Sequence, residues 1–207
     1  MSQIVALRAG KREQTKAANR LAILDAARAV FAEMGYETAT VRDIIRRTGL
    51  SVGAFYNYFR SREEVFEALA DDGVRRFRPI LRACWESADT FEDYLRAAIQ
   101  AYFDFLADEH VNWQAHRPAG ERHPQITIRT PEMERVFSEV RDAFAQAMEA
   151  GGAPRVDADF LAAACIAVAR EVGDQMLERR PIDTRAACDF AVRLILGGIP
   201  ALPRLPD

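Results

Sequence analysis

Residues 40–64 read TVRDIIRRTGLSVGAFYNYFRSREE, and the punctuation of this stretch decides the fold around it. Thr40 and Asp43 have the spacing of a capping box, with Asp in place of the usual Glu or Gln, ahead of an apolar face made by Val41, Ile44, Ile45 and Thr48. Gly49 breaks that helix, and a second short helix follows Ser51. Ser61-Arg62-Glu63-Glu64 is then a full capping box that opens a longer one. Upstream, Leu24, Ala27, Phe31 and Met34 recur at helical spacing until Gly35 supplies the left-handed residue that commonly ends a helix. Three such helices, with a Gly-containing turn between the second and third, match a helix-turn-helix.

At 3.6 residues per turn, Phe55 and Phe59 share a face with Val52, and that face must pack on the two preceding helices. Gly53, Ala54 and Asn57 point the other way, flanked by Tyr56 and Tyr58. Small residues and one amide are poor core material. They do let a helix sink into the major groove of DNA, where Asn can pair bidentately with adenine, while tyrosine hydroxyls suit phosphate oxygens. The same wheel turns Arg42, Arg46 and Arg47 outward. Arg62, just inside the next helix, could hold a phosphate together with the exposed N–H groups there.

Charge agrees with this placement. The net charge of −3 divides into 11 Lys and Arg against 6 Asp and Glu over residues 1–63, and 17 against 25 over the remainder. A basic head on an acidic body implies that the first segment alone meets a polyanion. Residues 1–14 hold little apolar material and several charges, so they are expected to be a mobile basic arm; 15–62 form the helix-turn-helix domain and 63–207 a second, helical domain.

Residues 20–69 resemble the DNA-binding domain of the TetR family of regulators. The resemblance is carried by Arg20, Ile23-Leu24, Ala26-Ala27, Phe31, Gly35, Thr38, Thr40-Val41, Ile44, Gly49, Ser51, Gly53, the run Phe55 to Phe59, and Ser61-Arg62-Glu63. Two positions depart from the family pattern: Arg62, where Lys is common, and Ile45, where a small residue is usual. The resemblance implies that Arg42, Val52, Gly53, Ala54 and Asn57 face bases, with Thr40, Tyr56, Tyr58 and Arg62 on the DNA backbone. It also implies a C-terminal domain with a two-helix dimer interface and a cavity for a small-molecule effector. The function so implied is ligand-responsive regulation of transcription, as a repressor released from a palindromic operator by a small, largely apolar effector.

The residues beyond 62 read as all-α. Pro79 is expected to kink or end the helix begun at Arg62. Thr90 caps another helix, Thr130-Pro131 starts a third that Gly151-Gly152 closes, and Asp157 and Asp183 or Thr184 open the last two. Leu161, Cys165, Val168, Val172 and Met176 form one stripe while Ala163, Ile166 and Ala167 cover much of the rest; in the last helix Phe190, Leu194 and Ile195 exceed a single face. Helices apolar on more than one side need more than one neighbour. Leu161, Cys165, Val168, Val172, Phe190 and Leu194 are therefore expected at a homodimer interface. Phe77, Trp85, Tyr94, Phe103, Trp113, Phe137 and Phe144 are either plain core or the lining of an effector pocket, since both are built from the same residues.

Other classes find little support. The chain has no nucleophile elbow, P-loop or Rossmann fingerprint, so no catalytic residues and no cofactor are expected. Among the three histidines His110, His116 and His123, a metal site would need His116, Glu121 and His123 in a loop broken by His-Pro and Arg-Pro steps; none is expected. Cys84, Cys165 and Cys188 are too scattered for a disulfide framework and read as buried thiols. No apolar run approaches the roughly 20 residues of a membrane span, and no cleavable signal opens the sequence, so a soluble cytoplasmic protein is expected.

Overall fold

The computed structural model describes residues 2–114 and 130–204, with side chains over 12–110 and 130–204. Among the described residues the chain is all helical, with no strand: α1 (Ser2–Met34), α2 (Val41–Thr48), α3 (Val52–Tyr56), α4 (Arg62–Ser87), α5 (Phe91–Gln114), α6 (Pro131–Glu149), α7 (Ala158–Leu177), α8 (Thr184–Gly198) and a 3-10 turn (Ile199–Ala201). They form two compact units that divide between Ala70 and Asp71, inside α4, whereas the sequence places its boundary at the start of that helix.

In the first unit the end of α1 is set by Gly35, at φ 75°, whose N–H donates to the Phe31 carbonyl at 3.0 Å. Gly49, at φ 68°, ends α2 in the same left-handed conformation, which any side chain would strain. The capping box at Thr40 is complete, and the Ser51 hydroxyl accepts from the Ala54 N–H. Ile23, Leu24, Ile44, Phe55 and Val65 are at most 1% exposed, which brings α1, α2, α3 and α4 to one core. Phe31, Tyr36 and Phe66 close it with ring centroids 4.7 to 5.9 Å apart.

In the second unit Phe103 and Phe144 lie at the centre of a core that α7 joins through Leu161 and Cys165 and α8 through Val192 and Ile195. The approach of α5 to α7 depends on Gly173: a Cβ there would lie 2.7 Å from Leu106 Cδ1 and 3.3 Å from Phe103 Cε1. At the surface of this unit Arg78 grips Glu139 with Nε at 2.9 and 3.0 Å from its two oxygens, Arg76 forks onto Glu109 at 2.8 and 2.7 Å, and Arg96 reaches Asp189 at 2.8 Å. Burial pushes the Cys165 thiol up to about 12 and raises Cys84 and Cys188 as well, so none of the three is poised as a nucleophile.

The structure bears on three expectations. The backbone is helical from Ser2, where an arm over 1–14 was expected; this stretch has no proline, and its Ala, Leu, Lys, Arg and Gln are good helix formers. Of the kink or end expected at Pro79, the end does not occur: α4 runs on to Ser87 with the exposed proline inside it. Such a residue deprives the Arg75 carbonyl of its helical donor. Finally, Leu161 and Cys165, expected at an interface, are 6% and 5% exposed in the single chain and pack in its own core. His116, Glu121, His123 and the Trp113 side chain lie outside the described residues. Among the described residues no helix is long and apolar enough to cross a membrane, and no three His, Cys, Asp or Glu gather as a metal site would need.

Candidate nucleic-acid interface

Helix α3 is five residues long, too short to hold itself together in water; tertiary packing stabilises it instead. Phe55 and Phe59, 0% and 3% exposed, are its two anchors, and fully burying a phenylalanine contributes about 1.5–3 kcal/mol. The opposite side is open. Val52 is 57% exposed and Tyr56 53%, Gly53 and Asn57 are exposed, and Ala54 is half-buried. Val52 thus leaves the packed face on which the wheel placed it and joins the outward set that the resemblance implied. It is the first residue of the helix, past the edge of what the two phenylalanines rest on.

Gly53 carries the most information. A Cβ at this position would meet nothing within 4 Å, so no contact inside the chain calls for glycine there. Glycine inside a helix costs about 1 kcal/mol relative to alanine. A residue that weakens its own helix and relieves no internal clash fits a surface that something else approaches closely.

Around this face the arginines of α2 are all exposed, but they differ in their engagements. Arg47 pairs with Glu33 at 2.8 Å and Arg46 lies 3.7 Å from Asp43, whereas Arg42 has no acid within reach among the described residues. The Asn19 side chain donates to the Tyr58 hydroxyl at 3.2 Å, which orients the phenol and leaves its own hydrogen available to an acceptor outside the chain. Asn57 caps α3 through its backbone and exposes its amide.

Two residues expected at the DNA backbone are engaged elsewhere. The Thr40 hydroxyl donates to Asp43 Oδ2 and its backbone N–H does the same at 3.0 Å; these bonds hold the Asp43 carboxyl below its ordinary range. Arg62 directs Nη1 at the carbonyls of Tyr36, Glu37 and Ala39, at 2.7, 3.1 and 3.1 Å, and sends Nε to Glu63 at 3.2 Å. Its guanidinium also covers the Tyr36 ring, 4.2 Å from the centroid. This arginine ties the start of α4 to the α1–α2 connection. The three-carbonyl cradle becomes visible only when residues 36–39 and 62 are brought together, and the sequence carries no sign of it.

In the second unit, Trp85, Tyr94 and Phe144 stack edge to face in one row, with centroids 5.0 and 6.2 Å apart; Phe77 meets Tyr102 and Phe105 in another, each at 5.5 Å. Phe77, Tyr94, Phe103 and Phe144 are buried, and Trp85 and Phe137 pack half-buried against the same core. On the outside of that unit Phe160 is 77% exposed, Phe190 61% and Leu194 53%. Val168 and Val172 are half-buried against the core. Phe160 extends the second apolar side of α7 that the sequence reading marked at Ala163, Ile166 and Ala167, all of them exposed.

Residues 23–69 match the model of bacterial regulatory proteins of the tetR family. The chain is 43% identical over 68 residues to the HTH-type transcriptional repressor Rv1474c of Mycobacterium tuberculosis, a stretch covering 33% of this chain and 36% of that protein. With the HTH-type transcriptional activator FasR of Mycolicibacterium smegmatis it shares 26% identity over 186 residues, 87% of this chain and 83% of the other. The fold is also that of the regulator FadR from Bacillus subtilis, solved in complex with stearoyl-CoA: TM-score 0.68, 19% identity, 86% of this chain and 98% of that one. The strongest of these sequence matches spans little more than a third of its relative's length and falls on the helix-turn-helix. With its α3 anchored by two phenylalanines and presented by a capped α2, the segment 23–69 is a helix-turn-helix of the tetR type.

Proposed function

We propose that the chain is a DNA-binding transcriptional regulator that reads operator bases with Arg42, Val52, Gly53, Ala54 and Asn57, positions itself on phosphates through Tyr56 and Tyr58, and answers to a small, largely apolar effector. The observation that carries the reading is the open, exposed face at Gly53 on a helix whose other side is locked by Phe55 and Phe59. A side-chain face of this size fits the major groove, and Asn57 supplies the amide that recognises adenine. The protein acts in the cytoplasm, where operator DNA lies.

A second copy of the chain is the partner proposed for the exposed stripes of α7 and α8. A two-fold dimer would set its recognition helices about 34 Å apart, or a multiple of that, and so read a palindrome. The effector site is proposed among the aromatic rows of the second unit, and a long-chain acyl thioester is the first probe to try, because FadR was solved with one. The effect on transcription is proposed to be repression, relieved by the effector.

Selection of duplexes from a random library by the full chain tests the DNA reading. An enriched palindromic motif, whose affinity falls when stearoyl-CoA is added, is the expected result. Failure to enrich any sequence would leave a ligand-binding module that has lost its operator. Linkage supplies the check on the effector: operator must weaken acyl thioester binding by the same factor, typically about 1–3 kcal/mol of coupling.

A further inference from the structure

Helix α1 is longer than the domain it serves. It begins at Ser2, while the family match begins only at residue 23. Along one face of α1 run positions 12, 16, 19, 23, 27 and 30, at spacings of three or four that keep them in a single row. From Ile23 onward this row is the core face: Ile23, Ala27 and Val30 are 0%, 0% and 4% exposed. Above it the row changes character. Asn19 reaches the Tyr58 hydroxyl, Arg20 beside it covers the Phe59 ring at 5.4 Å, and the next two places are Lys16 and Arg12, both exposed and neither paired with an acid among the described residues.

We infer that Arg12 and Lys16 form a second, sequence-independent grip on DNA phosphates beside those reached by Tyr56 and Tyr58. The inference rests on the DNA-binding reading above and adds a surface to it. At a rise of 1.5 Å per residue Lys16 sits about 4.5 Å and Arg12 about 10.5 Å along the helix from Asn19, the residue that touches Tyr58. The side of α1 that would otherwise bury itself therefore continues past the domain as a basic ledge adjoining the reading face. A polyanion lying against α3 is the body whose charge this ledge complements. Glu13, the acid nearest in sequence, lies off the row.

The test uses the full chain and a duplex that it has selected from a random library, with dissociation constants measured from 50 to 300 mM KCl. For Arg12→Gln/Lys16→Gln the slope of log affinity against log salt should shrink by about 1.8 per chain bound, at about 0.9 per lost phosphate contact. The base preference and the melting temperature should stay as in the parent chain, since both side chains are exposed. An unchanged slope overturns the ledge, and so does an altered base preference, which would put the two residues on bases. A parent chain that selects no duplex at all removes the DNA-binding reading itself, an outcome distinct from either.

Discussion

The Arg62 guanidinium lies over the Tyr36 ring and at the same time donates to the Tyr36 carbonyl, gripping one residue by its side chain and its backbone. The three carbonyls all meet one nitrogen, Nη1, while the flat face covers the ring and Nε turns to Glu63; an ammonium could donate to the carbonyls but has neither the flat face nor the second donor nitrogen. Arg62→Ala and Arg62→Lys are both expected to destabilise the first unit, the alanine by about 1–3 kcal/mol, and to weaken DNA binding as a consequence. Their salt slope should equal that of the parent chain. A slope lower by about 0.9 would place Arg62 on a phosphate instead.

Glycines 53 and 173 should respond in opposite ways to alanine. At Gly53 a methyl meets open space, so Gly53→Ala should raise thermal stability by up to about 1 kcal/mol while weakening operator binding. At Gly173 the same methyl meets Leu106 and Phe103, and overpacking of about 1–3 kcal/mol outweighs the helix gain. Urea unfolding of the two variants, with anisotropy for DNA, measures both. Tight operator binding by Gly53→Ala would show that nothing approaches that face.

Phe160→Asp and Leu194→Asp should each turn a dimer into a monomer at micromolar concentration while leaving helicity intact, because both side chains are more than half exposed in the single chain. Sedimentation velocity reads the outcome. Cys165→Asp, by contrast, puts a charge into the core and should unfold the second unit. Dimers that survive both surface changes would move the interface elsewhere.

Acid should loosen the second unit through Glu139. The hydrogen bond from Arg78 holds its carboxyl below the ordinary value of 4.5, against the opposing effect of burial. A folded value lower than the unfolded one means that this stabilisation is complete above the unfolded value and is lost as pH falls through the folded one. The urea midpoint should therefore hold from pH 7 to about 5 and drop below about 4. Glu139→Gln should start lower at pH 7 and fall less on acidification; parallel curves would exclude the pair as a source of acid sensitivity.

Caps and turns were the most legible part of the chain. Thr40, Ser51, Thr130, Asp157 and Asp183 all cap the helices expected of them, because a cap is a local hydrogen bond between residues three apart. Gly35 and Gly49 were readable for the same reason. Burial on a helix with two apolar sides was not: Leu161 and Phe160 are adjacent in sequence, and only the folded second unit shows that the first points to its core and the second to solvent. Val52 was misplaced on the packed face because a wheel assumes an endless helix, and α3 has five residues. The engagement of Arg62 was hidden for a further reason, since it is decided by which carbonyls the fold brings to it.

The division of labour in α3 also bears on how a regulator of the proposed kind would change its address. The side chains that fix the helix, Phe55 and Phe59, share no surface with the exposed residues at 52, 53 and 57, and substitutions at exposed positions usually alter stability by less than about 0.5 kcal/mol. On the DNA-binding reading proposed above, mutations there act chiefly on DNA, and the largest effect on folding is the gain of up to about 1 kcal/mol from replacing the helical glycine at 53. A lineage can wander through operator vocabularies without crossing a valley of misfolded intermediates, and an engineer can graft a new trio onto this scaffold and screen for its cognate site with the fold held constant.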